Sequence, residues 1–145
     1  MSTRIPSTLS GILEQTVWKS AIIFESSGNI VGWNEHVRNN HGQEFLAKSE
    51  LREELAHNAL HLFESFDSAS FHGIKYLKTK YEAHQWDTDL CWGREGDAFE
   101  GEGIAVMKIY GDFFILITYV YPVVSTLALE KLNALVKELR TSKLL

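Results

Sequence analysis

The sequence predicts an α+β domain with one central antiparallel sheet, and three observations support that prediction. Apolar segments of strand length alternate with turn residues through the middle of the chain. Amphipathic helical patterns occur near both ends and once between the strands. The segment from Phe113 to Tyr121 is apolar on both alternating faces except at Thr118, which is typical of a central strand covered on both sides. We therefore expect helices on both faces of the sheet.

The first third of the chain is predicted to form a helix and then a hairpin. Between Thr8 and Trp18 the apolar residues recur every three or four positions, as in a short amphipathic helix. Ala21 to Phe24 and Ile30 to Trp33 have strand composition and flank turn residues, so we expect them to pair. The polar stretch from Asn34 to Lys48 has no sustained period and is predicted to be a loop.

The rest of the chain is predicted to form a second helix, a meander and a closing helix. Ser49 can cap the second helix, whose apolar face runs from Leu51 to Phe66. Between Gly73 and Ile117, aromatic and β-branched segments separated by turn residues predict roughly four antiparallel strands. From Ser125 onward a further amphipathic pattern predicts the closing helix.

Length, composition and charge indicate a single globular domain over residues 1–145. Hydrophobic residues make up 45% of the chain and charged residues 23%, so the chain can bury one core. The net charge of −5 argues against general binding of nucleic acid or anionic membranes. The single cysteine, Cys91, excludes an internal disulfide, and the N-terminal segment lacks the apolar run of a signal peptide. We therefore expect a soluble, cytoplasmic protein.

Two histidines have a spacing that brings imidazoles together. His57 and His61 lie four residues apart, so on a helix they share one face. The sequence offers no HExxH motif and no obvious third ligand, and a solvated helix face is therefore favoured over a metal site. We expect neither a metal nor a cofactor.

No other group of residues predicts catalysis. Cys91 lies in a predicted strand, where a buried structural thiol is favoured over a nucleophile. The glycines from Gly93 to Gly103 lack the lysine and the strand-to-helix context of a phosphate-binding loop. Solvation explains the paired carboxylates of Glu53 and Glu54 on a helix face. The chain is therefore predicted to be a binding module and not an enzyme.

Several short motifs follow one another as they do in the profilin family. Gly73-Ile74, four residues, and then Thr79-Lys80-Tyr81 resemble the profilin pattern G-I-x-x-x-x-T-K-Y. Four further segments are similar to profilin segments in the same order: Ala21-Ile22-Ile23 with Gly28, Gly103-Ile104 through Lys108, Tyr119-x-x-Pro122, and Glu130-Lys131-Leu132. Because the order and spacing agree over most of the chain, it resembles a divergent profilin.

The resemblance implies a sheet with the N- and C-terminal helices on one face and a shorter helix on the other. It also implies that the protein binds monomeric actin or an actin homologue, regulates actin polymerisation without chemistry of its own, and associates with the cytoskeleton. By their positions in the motifs, Lys80 and Arg94 would contact actin, together with Val124 and Ser125 at the start of the last helix.

The sequence departs from the profilin pattern where that family binds polyproline. An ungapped comparison puts Ile5 and Thr8 where the first helix usually has Trp and Tyr. Gly32 takes the position of the hairpin tryptophan, and Trp33, one residue later, would point to the opposite face. The last helix contains no aromatic residue. Polyproline binding is therefore expected to be weak or absent, and the resemblance is to an outlying member of the family, of Asgard-archaeal type.

Two further segments are candidates for partner contacts. Lys75, Lys78 and Lys80 would share a face of one strand, which suits an inositol phospholipid headgroup or an acidic protein surface, or else blunts an exposed sheet edge. Glu95 to Glu102 is an acidic, glycine-containing segment with extra residues relative to profilins. It is expected to be a mobile hairpin tip in solvent, or else a flap beside Arg94.

A second class of protein fits the same order of elements. A small sensor or scaffold domain of roadblock or PAS type also has a sheet with flanking helices, and it would dimerise or hold a small ligand. Packing of the first helix beside the last would favour a profilin. A ligand cavity or a helix-mediated dimer would favour the alternative.

Overall fold

The computed structural model describes residues 17–34, 37, 49–96 and 100–142. In these ranges the chain forms seven strands: β1 (Ser20–Glu25), β2 (Ile30–Trp33), β3 (Ile74–Tyr76), β4 (Thr79–Trp86), β5 (Leu90–Glu95), β6 (Glu102–Lys108) and β7 (Phe113–Val120). The same ranges contain three helices: α1 (Ser49–His61), α2 (Phe66–His72) and α3 (Ser125–Ser142). None of these helices is long and apolar enough to cross a membrane.

The seven strands form one antiparallel sheet with the order β2-β1-β7-β6-β5-β4-β3. β7 lies inside the sheet, where it pairs with β1 on one side and with β6 on the other. The predicted central strand is thereby confirmed, although it ends at Val120, one residue earlier than expected. The predicted α+β class with a central antiparallel sheet is confirmed as well.

Hydrophobic clusters cover both faces of the sheet. The α3 cluster joins the last helix to one face, and its members include Trp18, Ala21, Ile23, Ala105, Ile115, Ile117, Tyr119, Ala128, Leu132, Leu135, Val136 and Leu139. The α1 cluster joins α1 and α2 to the other face, and its members include Ile22, Phe24, Leu51, Leu55, Leu62, Ala69, Ile74, Tyr81, Ala83, Cys91, Ile104, Val106, Phe114 and Leu116. Along β7 the side chains alternate between the two clusters, as expected for a strand covered on both sides.

The N-terminal part of the prediction is only partly within the described residues. β1 and β2 pair with each other, which confirms the predicted hairpin. The predicted helix from Thr8 to Trp18 lies outside the described residues except for Val17 and Trp18, which are not helical. Trp18 is buried in the α3 cluster. Most of the predicted loop from Asn34 to Lys48 also lies outside the described residues.

The predicted second helix is divided into two helices. α1 ends at His61, and Phe66, which was expected on its apolar face, begins α2 and is 43% exposed. The break has a local cause, because Ser65 has extended backbone angles and its Oγ accepts a hydrogen bond from the Ser68 N–H at 3.0 Å. This N-cap starts a new helix in place of continuing the old one.

The meander contains one strand more than predicted. Between Gly73 and Ile117 there are five strands, because β3 and β4 are separated only by a two-residue turn at Leu77 and Lys78. Both turn residues have left-handed backbone angles, with φ of 51° and 65°. Such a turn matches the twist of paired strands but usually contains glycine or asparagine, so the composition of this segment did not predict it.

Candidate partner-binding face

A row of four residues crosses the sheet from β4 to β7. Glu82 on β4 lies opposite Arg94 on β5, Arg94 lies opposite Gly103 on β6, and Gly103 lies opposite Tyr119 on β7. Residues that lie opposite each other on paired strands project from the same face of the sheet. Because Tyr119 belongs to the α3 cluster, the row lies on the face that α3 covers. We call these four residues the cross-sheet row.

Gly103 provides the space that the cross-sheet row needs. A Cβ atom at this position would lie 2.3 Å from two carbon atoms of the Tyr119 ring, far inside van der Waals contact. Without a side chain on Gly103, the ring can lie over the β6 backbone. The Arg94 guanidinium then lies over the ring, with its Cζ 5.8 Å from the ring centroid. This is a cation–π arrangement, and it holds the arginine near the surface of the sheet.

Tyr119 connects Arg94 to the start of the last helix. Its hydroxyl donates a hydrogen bond to Ser125 Oγ at 2.8 Å. Burial raises the pKa of the Tyr119 hydroxyl, so it remains a donor at neutral pH. Arg94 and Ser125, which lie 31 positions apart in the sequence, therefore belong to one connected group.

Lys80 lies on the same face as the cross-sheet row. Tyr81 and Ala83 on β4 are buried in the α1 cluster. Lys80 and Glu82 alternate with them along the strand and therefore project from the opposite face. The Lys80 side chain is exposed, and its Nζ donates a hydrogen bond to the Phe71 carbonyl at 3.3 Å. Three of the predicted contact residues, Lys80, Arg94 and Ser125, thus lie on one face.

Two exposed apolar side chains belong to residues next to this group: the Phe71 carbonyl accepts the hydrogen bond of Lys80, and Val124 precedes Ser125 in the sequence. Phe71 on α2 is 76% exposed, and Val124, just before α3, is 59% exposed. Val124 was among the predicted contacts, whereas Phe71 was not. The sequence feature that could have indicated Phe71 is Ser65, which caps the short helix α2. The Phe71 ring of this helix lies outside the core.

The three lysines of the predicted strand are placed differently from expectation. Lys75 lies on β3, Lys78 lies in the turn, and Lys80 lies on β4, so they do not alternate along one strand. Lys75 and Lys80 are nevertheless directly opposite each other across the pair. Lys78 forms a weak, exposed ion pair with Glu50, with Nζ 3.5 Å from Oε2.

The predicted structural role of Cys91 is confirmed. Its side chain is fully buried in the α1 cluster. Burial raises the pKa of the thiol to about 12, so the nucleophilic thiolate is absent at neutral pH.

The acidic segment joins β5 to β6. Its ends, Glu95 and Glu102, are cross-strand partners, so the segment closes a hairpin. Residues 97–99, which include Phe99, lie outside the described residues. Mobility of the segment and a flap beside Arg94 therefore remain predictions.

Comparison with known proteins identifies the fold. No protein-family model and no curated protein sequence matches the chain. Among solved structures, Acanthamoeba castellanii profilin IA is similar, with a TM-score of 0.66, 15% identity and 88% of each chain covered. The chain has a profilin-like fold. Mouse profilin IIa, solved with a double repeat from the FH1 domain of mDia1, has a TM-score of 0.64 at 15% identity, covering 94% of this chain and 96% of that chain. Loki profilin2, solved with rabbit actin, has a TM-score of 0.62 at 16% identity, covering 94% of this chain and 98% of that chain.

The alternative class is also represented among similar structures. The Roadblock/LC7 domain from Streptomyces avermitilis has a TM-score of 0.52 at 12% identity, covering 97% of this chain and 98% of that chain. The same arrangement of sheet and helices is thus common to both folds, with the profilins the more similar of the two.

In this profilin-like fold, the hairpin tryptophan points away from the last helix. Trp33 pairs with Ile22 and packs against the α1 cluster, whereas Gly32 pairs with Ile23, a member of the α3 cluster. The predicted orientation of Trp33 is therefore confirmed. Ile5 and Thr8 lie outside the described residues.

Proposed function

We propose that this chain binds monomeric actin or an actin homologue, as a single profilin-like domain over residues 1–145. The observation that carries the proposal is the connected group on the α3 face, where Tyr119 holds both Arg94 and Ser125 and Lys80 lies on the same face. These are residues that the profilin motifs assign to the actin contact. The chain itself performs no chemistry in this role.

The composition of the face supports a protein partner. The cations Lys80 and Arg94 are accompanied by two exposed apolar side chains, Phe71, whose carbonyl accepts a hydrogen bond from Lys80, and Val124, next to Ser125. Protein interfaces commonly combine a few apolar and aromatic anchors with charged groups that orient the partner. In a chain of net charge −5, positive groups on one face favour an acidic partner surface.

The proposed effect on actin follows from occupying one face of the monomer. A bound monomer cannot use that face to join a filament, so binding alters polymerisation. A profilin-like protein with this role works in the cytoplasm, in association with the cytoskeleton.

Two finer assignments belong to the same proposal. Lys75 and Lys80 place two positive charges opposite each other, and like charges in that arrangement usually destabilise a strand pair. We assign the pair to the acidic partner surface, with inositol phospholipid as a competing ligand. We also propose that polyproline binding is weak or absent, because Trp33 points away from α3 and that helix contains no aromatic residue.

The test is direct binding to rabbit actin, the actin in the complex with Loki profilin2. We expect the protein to slow the polymerisation of pyrene-labelled actin in proportion to its concentration and to form a 1:1 complex in sedimentation velocity. An actin homologue from the source organism, if it has one, is the second partner to measure. A stable homodimer that binds neither actin would contradict the proposal and favour a roadblock-type scaffold.

A further inference from the structure

Three histidines from two helices meet at the side of the domain. His57 and His61 lie on one face of α1, and His72 is the last residue of α2. One ring nitrogen from each of the three lies within 4.8 Å of the others. His72 is the third imidazole that the spacing of His57 and His61 did not predict, because the end of α2 comes close to α1 only in the folded chain. We call these residues the histidine cluster.

Two hydrogen bonds, one from a side chain and one within the backbone, hold the helices of the histidine cluster in place. Ser68 on α2 donates a hydrogen bond from its Oγ to the His61 carbonyl at 2.7 Å, which joins α2 to the end of α1. The Gly73 N–H donates to the Ala69 carbonyl at 2.8 Å and closes α2 directly after His72. The three imidazoles are therefore brought together by the fold and not by flexible loops.

His57 offers the cluster a ring nitrogen with no competing partner. Its Nε2 atom is buried and has no hydrogen-bond partner among the described residues. A buried imidazole nitrogen without a partner costs free energy unless a bound group satisfies it.

We propose that His57, His61 and His72 form a binding site for Zn²⁺ or a similar divalent transition metal. Imidazole nitrogen is a preferred ligand of these ions, and three protein ligands with one open position make a known zinc arrangement. Tetrahedral zinc with bonds near 2.0–2.1 Å places its ligand atoms about 3.3 Å apart. The ligand atoms of the cluster now lie within 4.8 Å of one another, so metal binding requires the imidazole rings to rotate. The rings of His61 and His72, now stacked with centroids 3.8 Å apart, would have to separate.

Nearby charges set the strength of the site. Lys75 and Lys80 act on the cluster as positive charges, whereas Glu64 acts on His72 as a negative charge. The two positive charges outweigh the one negative charge, so the surroundings repel a divalent cation. We therefore expect micromolar affinity for Zn²⁺ and not the much tighter binding of a structural zinc site. The fourth ligand is water or the Glu64 carboxylate.

Calorimetric titration of the full chain with Zn²⁺ tests this inference and requires no actin. We expect one ion per chain, with affinity reduced at least tenfold in His61→Gln and in His72→Gln. His84→Gln is the matched control, because His84 lies on β4 against Trp92, outside the cluster, and it should bind as the wild type does. Both cluster side chains are partly exposed, so these variants are expected to fold, and circular dichroism checks this.

Two further measurements separate a site from adventitious binding. Co²⁺ in place of Zn²⁺ should give the intense visible absorption of tetrahedral coordination, and His72→Gln should abolish it. Zn²⁺ should also raise the Tm of the wild type and of His84→Gln but not that of His61→Gln, because the ion links α1 to α2. Equal Zn²⁺ affinity in all variants, or no Zn²⁺ binding by the wild type, would overturn the proposal. The three imidazoles would then only pack against one another.

Discussion

Gly103 shows how a residue without a side chain shapes the candidate binding face. The sequence placed Gly103 and Tyr119 in two separate profilin-like motifs, and the structure pairs them across β6 and β7. Local patterns predict which residues lie in strands, but the register between strands is not local information. For that reason the individual contact residues could be proposed from the sequence, whereas their connection through Tyr119 could not.

We predict that Gly103→Ala destabilises the protein by about 1–3 kcal/mol, as overpacking of a filled site usually does. The cause is the new methyl group, which would enter the space of the Tyr119 ring. Urea unfolding of Gly103→Ala, alone and in a Tyr119→Ala background, measures the coupling between the two positions. The destabilisation by Gly103→Ala should be much smaller in the Tyr119→Ala background, where the ring is absent. An equal cost in both backgrounds would show that the ring does not occupy this space.

At the scale of elements, the β3–β4 hairpin depends on a residue from another element. Glu54 on α1 accepts hydrogen bonds from the backbone N–H groups of Leu77 at 3.0 Å and Lys78 at 2.7 Å. The carboxylate therefore supports a turn whose two residues both have left-handed backbone angles. The turn was missed in the sequence because its support comes from more than 20 residues away and not from turn residues.

Glu54→Ala is predicted to lower the free energy of unfolding by about 1–3 kcal/mol, since it removes two hydrogen bonds to a charged acceptor. The neighbouring exposed residue Glu53 provides the control, because Glu53→Ala changes charge and helix content in the same way. Chemical denaturation of both variants measures the difference. Glu53→Ala should stay within about 0.5 kcal/mol of the wild type. Equal losses would mean that the turn does not depend on Glu54.

The last helix and the first hairpin also support the expectation about polyproline. The profilin resemblance assigns the flat rings that stack on a proline helix to the terminal helices and the first hairpin. Trp33 is on the face opposite α3, and α3 contains no aromatic residue. We predict that decaproline shows no saturable heat of binding below about 1 mM in calorimetry. Saturation in the micromolar range would show that rings elsewhere in the chain form the site.

At the scale of the whole molecule, the order of elements was predictable because hydrophobic periodicity is local. The hairpin, the central strand and the closing helix were all found where the pattern predicted them. The packing between elements was less predictable, since it depends on contacts between distant segments. Phe71, His72 and the division of the second helix all depend on α2, which a seven-residue segment cannot specify by periodicity.

The profilin-like fold and the position of the cations lead to one central claim, that the α3 face binds actin through Lys80 and Arg94. Changing Arg94 to an acidic residue would place a second carboxylate opposite Glu82 and could destabilise the sheet. Replacing Lys80 and Arg94 by alanine removes both cations without adding this repulsion. The matched control is Lys131→Ala with Lys137→Ala, which removes two exposed cations from α3. Both double variants alter the net charge equally.

The most direct test is the affinity of these proteins for rabbit actin, measured by inhibition of pyrene-actin polymerisation. We predict that Lys80→Ala with Arg94→Ala weakens binding by at least about 30-fold, as the loss of a hydrogen-bonded charge at an interface does. The control should bind as tightly as the wild type, and thermal unfolding should show that both variants are folded. A folded Lys80→Ala, Arg94→Ala variant with wild-type affinity would contradict the account.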